Sequence, residues 1–195
     1  NQLALSNVTV TTLGSTGSDN GDIFVQVPIE WLQSTTLTLD AVRTLTMPPG
    51  FRVTQIPPSF PRTKPKACNI GLYLAKGDYL VIYDAEDLPE TDQLKKAVLA
   101  FEASPQNVVC VQSRLNYYNP RQNVLTRWFT AEYSAWFDLQ LPGLAAMGAV
   151  IPLGGTSNHF KTDVLRDLMG WDAYNVTEDC DLGVRLGRAG FATRM

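Results

Sequence analysis

Hydrophobic and polar positions alternate along IFVQVPI at residues 23–29, and a period of two predicts a strand. Over 38–46 the spacing changes: Leu39, Val42 and Leu45 fall at helical intervals, predicting a short helix stopped by Met47-Pro48-Pro49-Gly50. A second strand is expected over 51–56, ended by Pro57-Pro58. Residues 66–75 place Ala67, Ile70, Gly71, Leu74 and Ala75 along one face and predict a helix. After a turn at Gly77-Asp78, the run YLVIY at 79–83 is almost wholly apolar. That is the pattern of a central parallel strand buried on both faces.

The next helix is marked by Pro89 near its first turn and by Glu90 and Asp92 at the positive end of its dipole. Leu94, Val98, Leu99 and Phe101 supply its apolar stripe. Residues 108–112 read as another buried strand, 127–138 as an aromatic-rich helix and 163–169 as a shorter one. A last helix is expected over 179–189, stopped by Gly190. Strands alternating with helices predict an α/β domain with a mostly parallel sheet flanked by helices. Residues 139–159 carry no charge, but Pro142, Pro152, Gly143, Gly148, Gly154 and Gly155 interrupt them. This stretch is expected to form buried loop and strand, or a surface resting on a membrane, rather than a spanning helix.

Composition narrows the class. A chain of 195 residues, 45% hydrophobic and 18% charged, can bury the core of one globular domain. A formal net charge of -3 argues against a nucleic-acid partner, which needs clustered Lys and Arg. Cys68, Cys110 and Cys180 are far apart and odd in number, so buried thiols in a reducing compartment are expected. Residues 1–20 show no basic region followed by an apolar run, so a signal peptide is not expected within them.

Candidate chemistry lies at the ends of these elements. Asp84-Ala85-Glu86-Asp87 stands immediately after the YLVIY strand. Ligands in open parallel sheets bind beyond the carboxyl ends of the strands. Carboxylates this dense repel one another unless a cation sits among them, and hard oxygen ligands suit Mg²⁺ or Mn²⁺. The plainer reading is a solvated acidic turn capping the next helix. Upstream, Arg62, Lys64 and Lys66 precede the 66–75 helix. Cations beside a helix N-terminus form an anion site suited to diphosphate, although a short basic run is more often a solvated face.

Thr177-Glu178-Asp179-Cys180-Asp181 brings further carboxylates next to Trp171, Tyr174 and Val176. A carboxylate held near an apolar pocket can act as general base toward a hydroxyl, and the same residues can simply cap a helix. In Pro152-Leu153-Gly154-Gly155-Thr156-Ser157-Asn158-His159, paired glycines allow close backbone approach and the polar run can hydrogen-bond a sugar. His159, the only histidine, is read as structural.

From residue 50 onward PRTKPKACN, YDAED, NYYN, GGTSNHF and WDAYNVTEDCDLG occur in one order. That order resembles the family-two glycosyltransferases of GT-A fold, and most closely their membrane-associated bacterial branch, similar to cellulose synthase catalytic domains. The resemblance implies a donor site for a nucleotide sugar, expected to be a UDP-sugar, and a glycan or other hydroxyl acceptor. Asp84, Glu86 and Asp87 would hold the metal. Lys64, Lys66, Asn69, Asp84 and, on an earlier strand, Glu30 would bind the donor. Asp179 would be the general base of an inverting transfer, with Glu178 beside it. Gly155, Thr156, Ser157 and Trp171 would face the acceptor, and Tyr174 is a further candidate to pack against it.

Residues 1–22 match none of these motifs, so 23–195 is expected to be a partial catalytic domain, incomplete at both ends. A Q-x-x-R-W motif and flanking membrane helices, which the family carries, are not found. The resemblance places the full-length protein on the cytoplasmic face of the bacterial inner membrane, with this chain soluble. Two other readings stay open on the residues: a degenerate domain that binds nucleotide sugar, glycan or a protein without turnover, and a metal-dependent nucleotidyltransferase. The second leaves the Thr-Glu-Asp helix start unexplained.

Overall fold

The computed structural model describes residues 54, 56, 59–84 and 87–195, together with the backbone of four short strands among residues 1–50. Asn1–Pro57 and Pro58–Met195 form separate compact units. In the first, β1 (Val8–Thr11) pairs in parallel with β3 (Leu37–Asp40). Likewise β2 (Asp22–Phe24) pairs in parallel with β4 (Thr44–Thr46). The helix expected over 38–46 is therefore replaced by two strand segments. Thr and Leu alternate through LTLD and TLT, and β-branched threonine favours extended backbone over a helical turn. β2 covers the start of the strand expected over 23–29, and residues 25–29 lie outside the described residues. Of the strand expected over 51–56 only Thr54 and Ile56 are described, and neither is in a strand.

The second unit is built on a four-stranded sheet in the order β5 (Tyr79–Ile82), β7 (Asn158–Lys161), β6 (Val108–Gln112), β8 (Ala192–Arg194). β7 runs antiparallel to both neighbours while β6 and β8 are parallel, so β7 alone opposes the common direction. β8 was not expected, and β7 begins inside the 139–159 stretch expected to be buried loop and strand, without having been marked as a strand of its own. NHFK carries too many polar residues to read as a strand, yet Asn158, His159 and Phe160 are all buried between β5 and β6. The central strand also differs from expectation. β6 is buried at every position, whereas β5 pairs with β7 alone among the described residues and leaves Tyr79 exposed. An apolar run reports that a strand is mostly covered, but not its place in the sheet.

Six α-helices flank this sheet: α1 (Lys64–Leu74), α2 (Gln93–Glu102), α3 (Val124–Ser134), α4 (Leu141–Ala146), α5 (Thr162–Asp167) and α6 (Glu178–Arg188). α1 and α6 lie where the periodicity puts them. α2 begins after Pro89, with Asp92 at its N-cap; its buried side chains are Ala97 and Phe101, and Leu94, Val98 and Leu99 reach the surface. α3 starts with a capping box, Asn123 accepting from the Thr126 N–H and Thr126 returning the bond. It runs through a π-helical stretch, Ala135–Gln140, into α4. Helix thus invades the uncharged segment expected to be loop and strand. Pro142 is accommodated because it falls in the first turn of α4. Left-handed backbone at Met169 and Gly170 ends the fold of α5 and starts the next loop.

Phe160, Leu141, Leu165, Leu182 and Leu186 are the largest apolar side chains wholly inside the core, which lies between the sheet and the α4, α5 and α6 helices. Of the three free thiols only Cys110 is buried; Cys68 is half-buried and Cys180 exposed, which corrects the expectation for two of them. Among the described residues no helix is long and apolar enough to cross a membrane.

Candidate active site

Strand register fixes where the candidate residues converge. Asn158, at the start of β7, is paired with Ile82 on one side and Gln112 on the other, so the carboxyl ends of β5 and β6 and the loop at 152–157 share one edge of the sheet. Asp84 follows β5 at this edge. α1 and α6 point their N-termini toward it, bringing Lys64 and Asp179.

Lys64 is the hub. Its Nζ lies 2.5 Å from Asp84 Oδ1 and donates to the Gly155 carbonyl at 2.6 Å. Burial works against the ammonium charge, but the hydrogen bond and charge of Asp84 outweigh it and hold the lysine pKa above its ordinary value. Asp87 turns back on the same loop: its Oδ2 accepts from the Asp84 N–H at 2.7 Å and from the Thr156 hydroxyl. Asp84 is thereby fixed beside a cation and Asp87 is tied to the same turn by the Asp84 N–H and the Thr156 hydroxyl. Their hard donor atoms fit Mg²⁺ or Mn²⁺, and Lys64 already demonstrates that Asp84 draws a positive charge. Among the described residues no cluster of three or more His, Cys, Asp and Glu stands ready as a cage. Glu86 and Glu30 lie outside the described residues.

Asp179 occupies the opposite wall. Burial, reinforced by the neighbouring Glu178 charge, raises its pKa to about 6; Lys64 and a hydrogen bond from the Trp171 indole oppose the shift. A β-carbon on Gly155 would stand 3.4 Å from Asp179 Oδ2, so the loop passes directly over this carboxylate. Glu178 is buried at the start of α6. Cys68 also belongs to this group, and burial raises its thiol pKa to about 11 against the pull of Lys64.

Other sequence-derived candidates stand elsewhere. Lys66 reaches the Ser59 carbonyl at 2.7 Å and the Ser59 hydroxyl, away from Asp84. Asn69 uses its carboxamide on the Trp171 backbone. Trp171 itself is only 3% exposed, its ring edge-on to Phe160, so it supports Asp179 from inside the core. Ser157 is buried with left-handed backbone, while Thr156 faces the carboxylate loop. Tyr174 is exposed. His159 is buried, its Nδ1 3.3 Å from the Val111 carbonyl, and burial lowers its pKa. Gln112 escaped the sequence reading altogether, although a lone amide closing the apolar strand VVCVQ was the available signal.

A family model described as "Glycosyltransferase like family 2" matches residues 21–195. The chain is 27% identical over 119 residues to the glucomannan 4-beta-mannosyltransferase 2 of Arabidopsis thaliana, a match covering 61% of this chain and 22% of that protein. It is 25% identical over 138 residues to the probable glycosyltransferase YdaM of Bacillus subtilis (strain 168), covering 71% of this chain and 33% of that protein. The chain thus spans a third or less of the length of these relatives. Among solved structures, the mannosyltransferase PcManGT from Pyrobaculum calidifontis, in complex with GDP-Man and Mn²⁺, superposes with a TM-score of 0.51. That match covers 82% of this chain and 37% of the other at 24% identity, a likeness of fold.

Proposed function

The chain belongs to the glycosyltransferase-like family 2, and on that premise we propose that it moves a sugar from a nucleotide-sugar donor to a hydroxyl of a glycan acceptor, with inversion. One observation carries this reading: Asp179 is a half-buried carboxylate with a pKa of about 6, held by Trp171 and facing the Lys64–Asp84 pair. A base so poised is ionised at neutral pH and still basic enough to accept a proton in the transition state.

In the proposed reaction Asp179 takes the proton of the acceptor hydroxyl as that oxygen attacks the anomeric carbon. The bond from this carbon to the diphosphate breaks on the opposite face, and its electron pair leaves with the nucleoside diphosphate. Lys64 offsets negative charge as it develops on the leaving group. Asp84 and Asp87 are the described residues that would hold Mg²⁺ or Mn²⁺, with Glu86 a further candidate. When bound, such an ion supplies Lewis-acid stabilisation of the diphosphate. Gly155 and Thr156 border the space between donor and base and are the proposed acceptor contacts.

Relatives named for mannosyl transfer, and the GDP-Man and Mn²⁺ of the Pyrobaculum calidifontis enzyme, support a mannosyl donor. GDP-mannose is therefore the first donor to assay, ahead of the UDP-sugar that the sequence resemblance implied. Attachment of the full-length protein to a membrane is part of the same proposal and rests on that resemblance. The reading is tested by incubating the protein with radiolabelled GDP-mannose or UDP-hexoses, Mn²⁺ and β-linked oligosaccharides. Acceptor-dependent release of nucleoside diphosphate, lost in Asp179→Asn, is the expected result. No release with any of these donors overturns it.

A further inference from the structure

We propose that Gln112 is a positioning residue of this site, holding the loop at 154–156 in the register that sets Asp87, Lys64 and Asp179. The inference rests on the proposed function and adds a residue that neither the motifs nor the mechanism call upon. Gln112 closes β6 with 1% of its surface exposed, in a strand otherwise made of Val and Cys. A carboxamide buried so completely costs stability unless its donors and acceptor are matched.

Each of its polar atoms is matched, and two of the three bonds go to one loop. Its Oε1 accepts from the Gly154 N–H at 2.8 Å. Its Nε2 donates to the Thr156 carbonyl at 3.2 Å and to the Ser113 carbonyl at 2.9 Å. The loop is thus gripped on both sides of Gly155 by a single planar group. A β-carbon at Gly154 would sit 3.1 Å from Phe137 Cζ, 3.2 Å from Leu115 Cδ1 and 3.5 Å from Gln112 Oε1, so the backbone lies close against the side chains that surround Gln112. Asn158 adds a third hold through its Nδ2 on the Gly154 carbonyl.

What the loop presents upward is the site. The Gly155 carbonyl accepts from Lys64 at 2.6 Å, the Thr156 hydroxyl bonds Asp87, and Gly155 lies against Asp179. The Gln112 carboxamide bonds only backbone atoms of Ser113, Gly154 and Thr156, and none of these three charged side chains. It acts on them through two backbone units, so its loss is felt as misplacement rather than as a missing charge. A misplacement of about 1 Å at a reacting centre can cost about a hundredfold in rate.

The test compares Gln112→Met, which keeps the volume and removes the amide, with Val111→Ala, a buried truncation on the alternate face of the same strand. Two readouts are taken: exchange of the Gly154 amide with solvent, and Mn²⁺-dependent binding of GDP and UDP by equilibrium dialysis. In Gln112→Met the Gly154 amide is expected to exchange at least about tenfold faster, and nucleotide binding to weaken by about tenfold or more. The Ser157 amide, bonded to the Ile82 carbonyl at 2.8 Å, is expected to keep its protection. Val111→Ala is expected to lower thermal stability and change neither readout. If both variants behave alike, or if Gln112→Met binds nucleotide as the unaltered protein does, the positioning role is overturned. If the unaltered protein binds neither nucleotide, the proposed function fails, and Gly154 exchange alone decides whether Gln112 holds the loop. Should Gln112→Met fail to fold, Gln112→Asn, whose amide falls one methylene short of the loop, carries the same comparison.

Discussion

Asn69 holds the backbone of Trp171 from both sides, its Nδ2 donating to the Trp171 carbonyl at 2.7 Å and its Oδ1 accepting from the Trp171 N–H at 2.9 Å. The pair joins α1 to the loop before α6 across more than a hundred residues of sequence. Trp171 in turn donates its indole N–H to Asp179, so a polar contact in α1 is transmitted to the proposed base. Asn69→Ala leaves two peptide groups of a buried residue without partners. A loss of about 2–4 kcal/mol in unfolding free energy is expected, read from denaturant titration.

Trp171→Phe removes the indole donor while retaining a ring in the core. That hydrogen bond lowers the Asp179 pKa, so its loss is expected to raise the pKa further above about 6. The acid limb of the transfer rate should then move to higher pH, with the rate on the alkaline side less affected. An acid limb that stays in place would remove Trp171 from the account of Asp179.

Asp179 also links stability to pH. Its folded-state pKa of about 6 lies above the ordinary carboxyl value of 3.8, so the folded protein holds this proton more tightly than the unfolded chain. The stabilising contribution is complete below the unfolded pKa and is lost as pH rises through about 6. Asp179→Asn should flatten that part of the thermal-stability profile. Transfer should run the other way, rising over the same window as the base ionises, and falling by about 10²–10⁴-fold in Asp179→Asn with donor binding retained.

Glycines separate packing from propensity. A β-carbon on Gly183, in α6, would overlap the Ile151 carbonyl oxygen and lie 3.2 Å from Leu153. Gly183→Ala is expected to cost about 2–3 kcal/mol, because backbone rather than a flexible side chain blocks the way. Gly71, inside α1, faces open space, so Gly71→Ala should stabilise by about 0.5–1 kcal/mol. Chemical denaturation of both variants checks the sign of each change.

The two acidic clusters were legible in the sequence because each sits at a junction that periodicity alone marks: Asp84 after an apolar strand, Asp179 at the start of an amphipathic helix. Their meeting was not. It depends on β7, whose Asn158 and His159 read as loop because a strand sandwiched between two others can be polar when its amides find partners in the sheet. Nor did spacing distinguish Lys64 from Lys66. They differ by two positions on one helix, about 200° of rotation, and only the docking of α1 decides that Lys64 faces Asp84 while Lys66 turns to Ser59. Trp171 shows the converse. Its aromatic ring suited a sugar platform or a place in the core, and burial decides for the core, beside Asp179. In Leu37–Asp40 and Thr44–Thr46, helical spacing of three apolar residues gave way to the alternation of threonine and leucine.

The most direct test of a metal-assisted donor site is calorimetric titration of the protein with GDP and with UDP, each with and without Mn²⁺, beside an Asp84→Ala variant. Binding of at least one nucleotide that requires Mn²⁺ and is lost in Asp84→Ala is predicted, a loss beyond the tenfold to hundredfold or so that removing a supporting partner costs. Binding that is indifferent to Mn²⁺ and to Asp84, or no binding at all, would contradict the account.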